Sequence, residues 1–288
     1  MRTHLVSRRL ARRRGLITLS LSASPPLSPP PVSPDPEITE MDIHIRQLGA
    51  AHDGLRIVHL TDIHHSLYTP LEDVERAVKM ANHLQPDLIA LTGDYVTFSP
   101  TYIWPVAQVL GRLRARLGVF AVLGNHDFQV DADEITRALK AHHIHVLRNS
   151  HFALDSGRDR LWLVGVDDLW WSADDLDAGM RHIPSHDPKI LLCHNPAGIH
   201  MAAEQHIDLV LSGHTHGGQV RLPVVGGLYT RSKLGKKFIA GWNRLDGTQI
   251  YVSRGIGKVL VPLRVGCPPE IACLNLRAGN PSRTHELS

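Results

Sequence analysis

The sequence of 288 residues predicts an α/β fold on three observations. Short apolar, β-branched runs recur along the chain, helical periodicities of roughly 10 to 15 residues separate them, and polar, glycine-containing clusters follow the runs. With 43% hydrophobic and 20% charged residues, the composition is that of a globular protein with one large core, which excludes disorder throughout. No stretch approaches the ~18 consecutive apolar residues of a membrane-spanning helix.

Residues 1–40 read as a leader outside the fold. Six arginines fall within the first 14 residues, no acidic residue precedes Asp35, and Pro25 to Pro36 is rich in proline and serine, which cannot build a core. Without those arginines the chain is slightly acidic, so the pI near 8.8 does not point to nucleic acid. The apolar run Gly15 to Ala23 imitates a secretory signal, and Arg13 to Ile17 resembles the twin-arginine export pattern. A transit peptide and a leader with no address are the other readings, so the expected location is cytoplasmic, or exported and membrane-peripheral.

The expected domain spans 41–278, followed by a flexible tail, 279–288. Its strands are Leu55 to Leu60, Leu88 to Leu91, Val119 to Leu123, Leu161 to Val166, Ile190 to Cys193, Leu209 to Leu211, Ile250 to Val252 and Ile271 to Leu276, each a run suited to burial on both faces. Helices are expected at Leu71 to Leu84, where Leu71, Val74, Val78 and Ala81 fall at helical spacing, and at Ile103 to Leu117, Ala132 to His142 and Ala197 to Gln205. The glycine-rich, basic stretch Arg221 to Gly247 fits loops or hairpins.

The chemistry lies beyond the strand ends. Asp62-Ile63-His64, Gly93-Asp94, Gly124-Asn125-His126-Asp127, His194-Asn195 and Gly213-His214-Thr215-His216 each follow a strand. In an open α/β sheet such segments converge on one crevice. Twenty histidines are far above ordinary usage, and neutral imidazole is the commonest transition-metal ligand. Asp62, His64, Asp94, Asn125, His194, His214 and His216 offer oxygen and nitrogen without thiolate, a set that selects Mn, Fe, Zn or Co. They exceed the needs of one zinc and suit two ions sharing a carboxylate. Cys193 alternates away from His194 and reads as a small buried apolar residue. Three cysteines cannot form a disulfide framework. Asp167 and Asp168, before Trp170-Trp171, read as packing or capping residues, with substrate contact as the alternative.

The ordered set Asp-x-His, Gly-Asp, Gly-Asn-His-Asp, His, Gly-His-x-His resembles the calcineurin-like metallophosphoesterase superfamily. His194-Asn195-Pro196, Gly213 to Gln219 and Val252 to Gly257 are similar to a bacterial branch of membrane-associated or exported phosphodiesterases. The resemblance covers about Gly54 to Leu276 and implies a four-layer αββα sandwich, with mixed sheets flanked by helices, and a dinuclear metal centre. It implies that Asp62, His64, His216 and bridging Asp94 hold one ion and that Asp94, Asn125, His194 and His214 hold the other. A hydroxide bridging the metals is then the expected nucleophile. His126 is surplus to the ligands and is expected to assist the leaving oxygen, with Asp127 orienting it. Many relatives extend the second motif to Gly-Asp-x-x-Asp; Thr97 takes the last position here, which puts a supporting carboxylate in doubt.

The expected function is a metal-dependent phosphoesterase, manganese among its candidate metals. A phosphodiester or diphosphate substrate is favoured over a monoester, and a lipid-linked diphosphate such as UDP-2,3-diacylglucosamine is the alternative. A non-catalytic metal-binding scaffold is the alternative of another class, and it should lack ligands or His126, whereas this chain keeps them all. Arg221, Arg231, Lys233, Lys236 and Lys237, interleaved with apolar residues, suit a lipid-like substrate or an anionic membrane surface, or a plain solvated hairpin.

Overall fold

The computed structural model describes residues 33–222, 226–227 and 238–280. Its strands begin with β1 (Glu37–Ile45), β2 (Arg56–Leu60), β3 (Leu88–Thr92), β4 (Val119–Val122) and β5 (His145–Val146). They continue with β6 (Ser150–Ser156), β7 (Asp159–Gly165), β8 (Lys189–Leu192) and β9 (Leu209–Ser212). A short pair, β10 (Arg221–Leu222) and β11 (Gly226–Gly227), precedes β12 (Gly241–Leu245), β13 (Thr248–Val252) and β14 (Glu270–Ala278). Among the described residues, six strands order as β1-β14-β2-β3-β4-β5 and another six as β12-β13-β9-β8-β7-β6. Both sheets are mixed: β2 to β5 and β7 to β9 with β13 run parallel, while β14 against β2, β6 against β7 and β12 against β13 are antiparallel.

Strand alternation builds three cores from these sheets. In β3, Leu88 and Ala90 face the second sheet, where Ile190, Leu192, Leu209 and Leu211 meet them, while Ile89 and Leu91 face the helices. Those helices are α1 (Leu71–His83), α2 (Ile103–Leu110) and α4 (Ala132–Ala141); the short α3 (Asn125–Val130) precedes α4. On the far side, Leu191 of β8 and Val210 of β9 pack with Leu176 of α5 (Leu176–Met180) and Ile199 and Ala202 of α6 (Ile199–Glu204). Helix, sheet, sheet, helix is the αββα sandwich expected. Cys193 points into this last core, fully buried, and all three cysteines are free.

Several boundaries differ from expectation for physical reasons. The Ile103 to Leu117 helix stops at Leu110 because Gly111 caps it, and a Cβ there would lie 2.7 Å from His142 Cβ. Strand β1 starts at Glu37, inside the 1–40 stretch expected to lie outside the fold, and pairs along its length with β14. Glu37 also pairs with Arg254 at 2.9 Å. Of the basic, apolar stretch after the last motif, residues 223–225 and 228–237 lie outside the described residues, so the expectations for Arg231, Lys233, Lys236 and Lys237 do too. Beyond it, β12 forms a hairpin with β13. No helix among the described residues is long and apolar enough to cross a membrane.

Deleting residues 1–32 is expected to leave melting temperature and turnover unchanged, since that composition contributes no core. Deleting 1–40 removes the start of β1 and the Glu37–Arg254 pair, and calorimetry should show a loss of roughly 4 °C or more. An equal loss in both truncations would show that the first 32 residues pack on the domain.

Candidate metal centre

Five parallel strands from both sheets end at one place. Asp62 and His64 follow β2, Asp94 follows β3, Asn125 opens α3 after β4, His194 follows β8, and His214 and His216 follow β9. All seven expected ligands are brought together there. Asp94 Oδ2 stands 3.4 Å from His64 Nε2 and 3.1 Å from His194 Nε2, so one carboxylate oxygen lies between two donor groups. On one side, His216 Nε2 is 3.1 Å from both Asp62 Oδ1 and His64 Nε2. On the other, His214 Nδ1 is 2.8 Å from Asn125 Oδ1 and 3.3 Å from His194 Nε2.

The backbone takes unusual conformations to do this. Asp62, His64, Asp94, His214 and His216 all have left-handed φ values, between 48° and 70°. Non-glycine residues rarely adopt this region, and such strain concentrates at functional sites. Two glycines make room for the carboxylates: a Cβ on Gly213 would lie 2.1 Å from Asp62 Oδ2, and one on Gly124 would lie 2.3 Å from Asp94 Oδ1.

Each imidazole is aimed by its other nitrogen. His194 Nδ1 donates to Thr92 O at 2.7 Å, leaving Nε2 as the lone-pair atom facing the site. His64 Nδ1 meets Thr97 Oγ1 at 3.2 Å, so the threonine that stands in place of the relatives' Asp supports this ring through its hydroxyl. His126 Nδ1 donates to Thr97 O at 3.0 Å, and its backbone N–H donates to Asp94 Oδ1 at 2.8 Å.

Asp127 is a correction. It does not reach His126; its Oδ2 accepts from the backbone N–H of Asp94 at 2.7 Å and of Gly124 at 2.9 Å, and its Oδ1 accepts from Tyr95 N at 2.9 Å. Fully buried, it ties the second and third motifs together rather than acting on substrate. The partner of His126 is the Thr97 carbonyl. Asp167 pairs with Arg148 at 2.9 Å, and Asp168 Oδ1 accepts from the N–H groups of Trp170 and Trp171, the capping role expected. The Trp171 indole N–H in turn donates to Asn125 O at 3.0 Å.

The electrostatics suit divalent cations. Asp62 and Asp94 are 0% and 2% exposed, and no lysine or arginine contacts either carboxylate among the described residues. Two buried carboxylates met by imidazoles, backbone N–H groups and the Thr61 hydroxyl, with no cationic side chain in contact, suit metal charge. Burial pushes His64 down to about 4 and, with His194 nearby, His214 down to about 3, so both stand neutral with lone pairs available. Burial opposes charge on His194, yet the Asp94 carboxylate raises it to about 10. Burial likewise raises Asp94, but His194 outweighs it and holds the carboxyl well below its usual range. A metal ion would take the place of that shared proton. Asp62, His64 and His216, and also Asp62, Asp94 and His194, present donor atoms within 4.8 Å of one another. His64, Asp94 and His126 do so as well, so distance alone does not separate His126 from the ligands.

A cluster of carboxylate and imidazole donors at the strand ends of a double α/β sandwich fits a metallophosphoesterase, and the chain's similarities agree. The family pattern described as calcineurin-like phosphoesterase matches residues 55–218, and the chain belongs to that family. It is thus a metal-dependent hydrolase of phosphoester bonds. Phosphodiesterase YaeI of Escherichia coli K12 is 35% identical over 77% of this chain and 82% of its own. The metallophosphoesterase YkuE of Bacillus subtilis 168 is 33% identical over 85% and 86% respectively. Among solved structures, TT1561 of Thermus thermophilus superposes with a TM-score of 0.48 at 15% identity, covering 70% of this chain and 89% of that one.

Proposed function

We propose that this protein is a phosphodiesterase working through two divalent ions, one held by Asp62, His64, His216 and Asp94 and the other by Asp94, Asn125, His194 and His214. The observation that carries this is the single Asp94 oxygen placed between His64 and His194. When bound, the two ions supply the Lewis acidity that activates water and neutralises phosphoryl oxygens. Asn125 contributes a neutral oxygen, which keeps the centre net positive and matched to the single charge of a diester. His126 sits at the same centre with Nδ1 committed to Thr97 O, leaving Nε2 to donate a proton or hydrogen bond to the departing oxygen. The YaeI name supports the diester reading. Purified protein supplied with Mn should hydrolyse bis-p-nitrophenyl phosphate at least about tenfold faster than p-nitrophenyl phosphate, a difference of ~1.4 kcal/mol in barrier. Faster monoester cleavage would overturn the preference.

A lipid-linked substrate is a second reading, favoured by an apolar rim. Leu67, Phe98, Trp170, Trp171, Leu260 and Leu263 are between 45% and 59% exposed. Their loops are tied to the site: the Phe98 ring lies 5.7 Å from that of His126, and Trp170 lies 6.1 Å from His214. The Gln219 amide, three residues past His216, donates to the carbonyls of Val259, Val261 and Leu263 and holds the last loop. Apolar surface around a phosphate-binding centre fits an amphiphile. A diphosphate carrying long acyl chains should then show a lower KM than its short-chain analogue, and equal KM values would remove this reading.

A further inference from the structure

Strand β7 runs parallel to β8, with Gly165 opposite Leu192, so the segment that follows it, Asp167 to Trp171, emerges beside His194. Asp167 is taken by Arg148. Asp168 differs: it is 1% exposed and forms no ion pair with a lysine or arginine among the described residues. Only one of its oxygens is used. Oδ1 accepts from Trp170 N at 2.9 Å and from Trp171 N at 3.2 Å, while Oδ2, also buried, has no hydrogen-bond partner among the described residues. Capping this turn needs a single oxygen, which an uncharged amide would supply as well. The buried charge and its second oxygen are therefore a cost that capping does not account for.

The turn that Asp168 caps reaches all four residues proposed for the second ion. The Trp171 indole N–H donates to Asn125 O at 3.0 Å, and the Trp170 ring lies 6.1 Å from that of His214. The other two, His194 and Asp94, lie within the field of the Asp168 carboxylate. Burial opposes charge on His194, and Asp168 is among the carboxylates that, with Asp94 foremost, raise it. Burial holds the Asp168 carboxyl up at about 6, His194 pulls it down and Asp94 adds to the rise. Asp168 stands outside the sets of donor atoms that lie within 4.8 Å of one another, so it does not join the ligands. Resting on the two-ion reading, we infer that Asp168 is a positioning residue of the second ion's site, which supplies charge toward that ion without ligating it and, through Trp171, fixes Asn125. Positive charge held by Asp94, Asn125, His194 and His214 is the compensation that Oδ2 lacks within the protein.

Calorimetric titration of the chelator-stripped, full-length protein with Mn tests this. Asp168→Asn keeps Oδ1 to accept from both N–H groups and removes the charge, so without metal the variant should melt no lower than the wild type. Of its two Mn affinities, one should fall about tenfold or more, the scale of a partner lost from outside the ligand set, and the other should hold. Two backgrounds identify the ion affected. With His216→Ala, which removes a ligand of the first ion, adding Asp168→Asn should still cost about tenfold; with His214→Ala, which removes one of the second, it should cost less than about twofold. Trp171→Phe, which keeps the charge and loses only the bond to Asn125 O, should weaken the same ion by a smaller factor. Both wild-type affinities kept in Asp168→Asn, or both lowered alike, would overturn the inference and leave the two-ion reading standing. A single Mn per wild-type chain would overturn that reading, and the inference with it.

Discussion

Asp94→Asn is expected to strip metal from both sites at once and lower turnover by roughly 10³-fold, about 4 kcal/mol of barrier. The reason is the placement of its Oδ2 against both His64 and His194. An amide keeps the shape but loses the charge that the two proposed cations would share. His126→Ala should leave metal content near that of the wild type, because the Thr97 carbonyl rather than a ligand network fixes its ring. Metal analysis of the two purified variants separates these roles. Equal metal loss would make His126 a ligand, which its position near His64 and Asp94 permits.

The second large effect is expected from His126→Gln, and it should depend on the leaving group. An alkoxide develops more charge in the transition state than p-nitrophenolate, which is already stable as an anion. The variant should lose modestly on p-nitrophenyl diesters and by a further factor of roughly 10² on alkyl diesters, the usual scale of general-acid assistance. Measuring kcat at saturating metal keeps lost ion affinity out of the comparison. Equal losses on both substrates would leave His126 as a phosphate-positioning residue only.

The central strands were legible because both their faces are buried: Leu88 to Leu91 and Ile190 to Cys193 are continuous apolar runs in which every residue packs into a core. The edge strands β1 and β6 were not, since one face of each meets solvent and residues such as Glu37 and Asp155 break the run. Helix α3 was hidden because its first turn, Asn125-His126-Asp127, is occupied by site chemistry. That same turn explains the misreading of Asp127. Neighbours in a helix point about 100° apart, so Asp127 faces back onto Asp94 and Tyr95 while His126 faces the site. The ligands themselves were readable from their spacing after strands, whereas the left-handed backbone that aims five of them carries no sequence mark beyond adjacent glycines. Thr97 looked like a loss; its hydroxyl and carbonyl prove to hold two histidines.

The most direct test of the account is a titration of chelator-stripped protein with Mn, following bound metal and hydrolysis of bis-p-nitrophenyl phosphate together. The account predicts no turnover without metal, saturation close to two ions per chain, and full activity only as the second ion binds. Activity in the stripped protein, or full activity at one ion per chain, would contradict it.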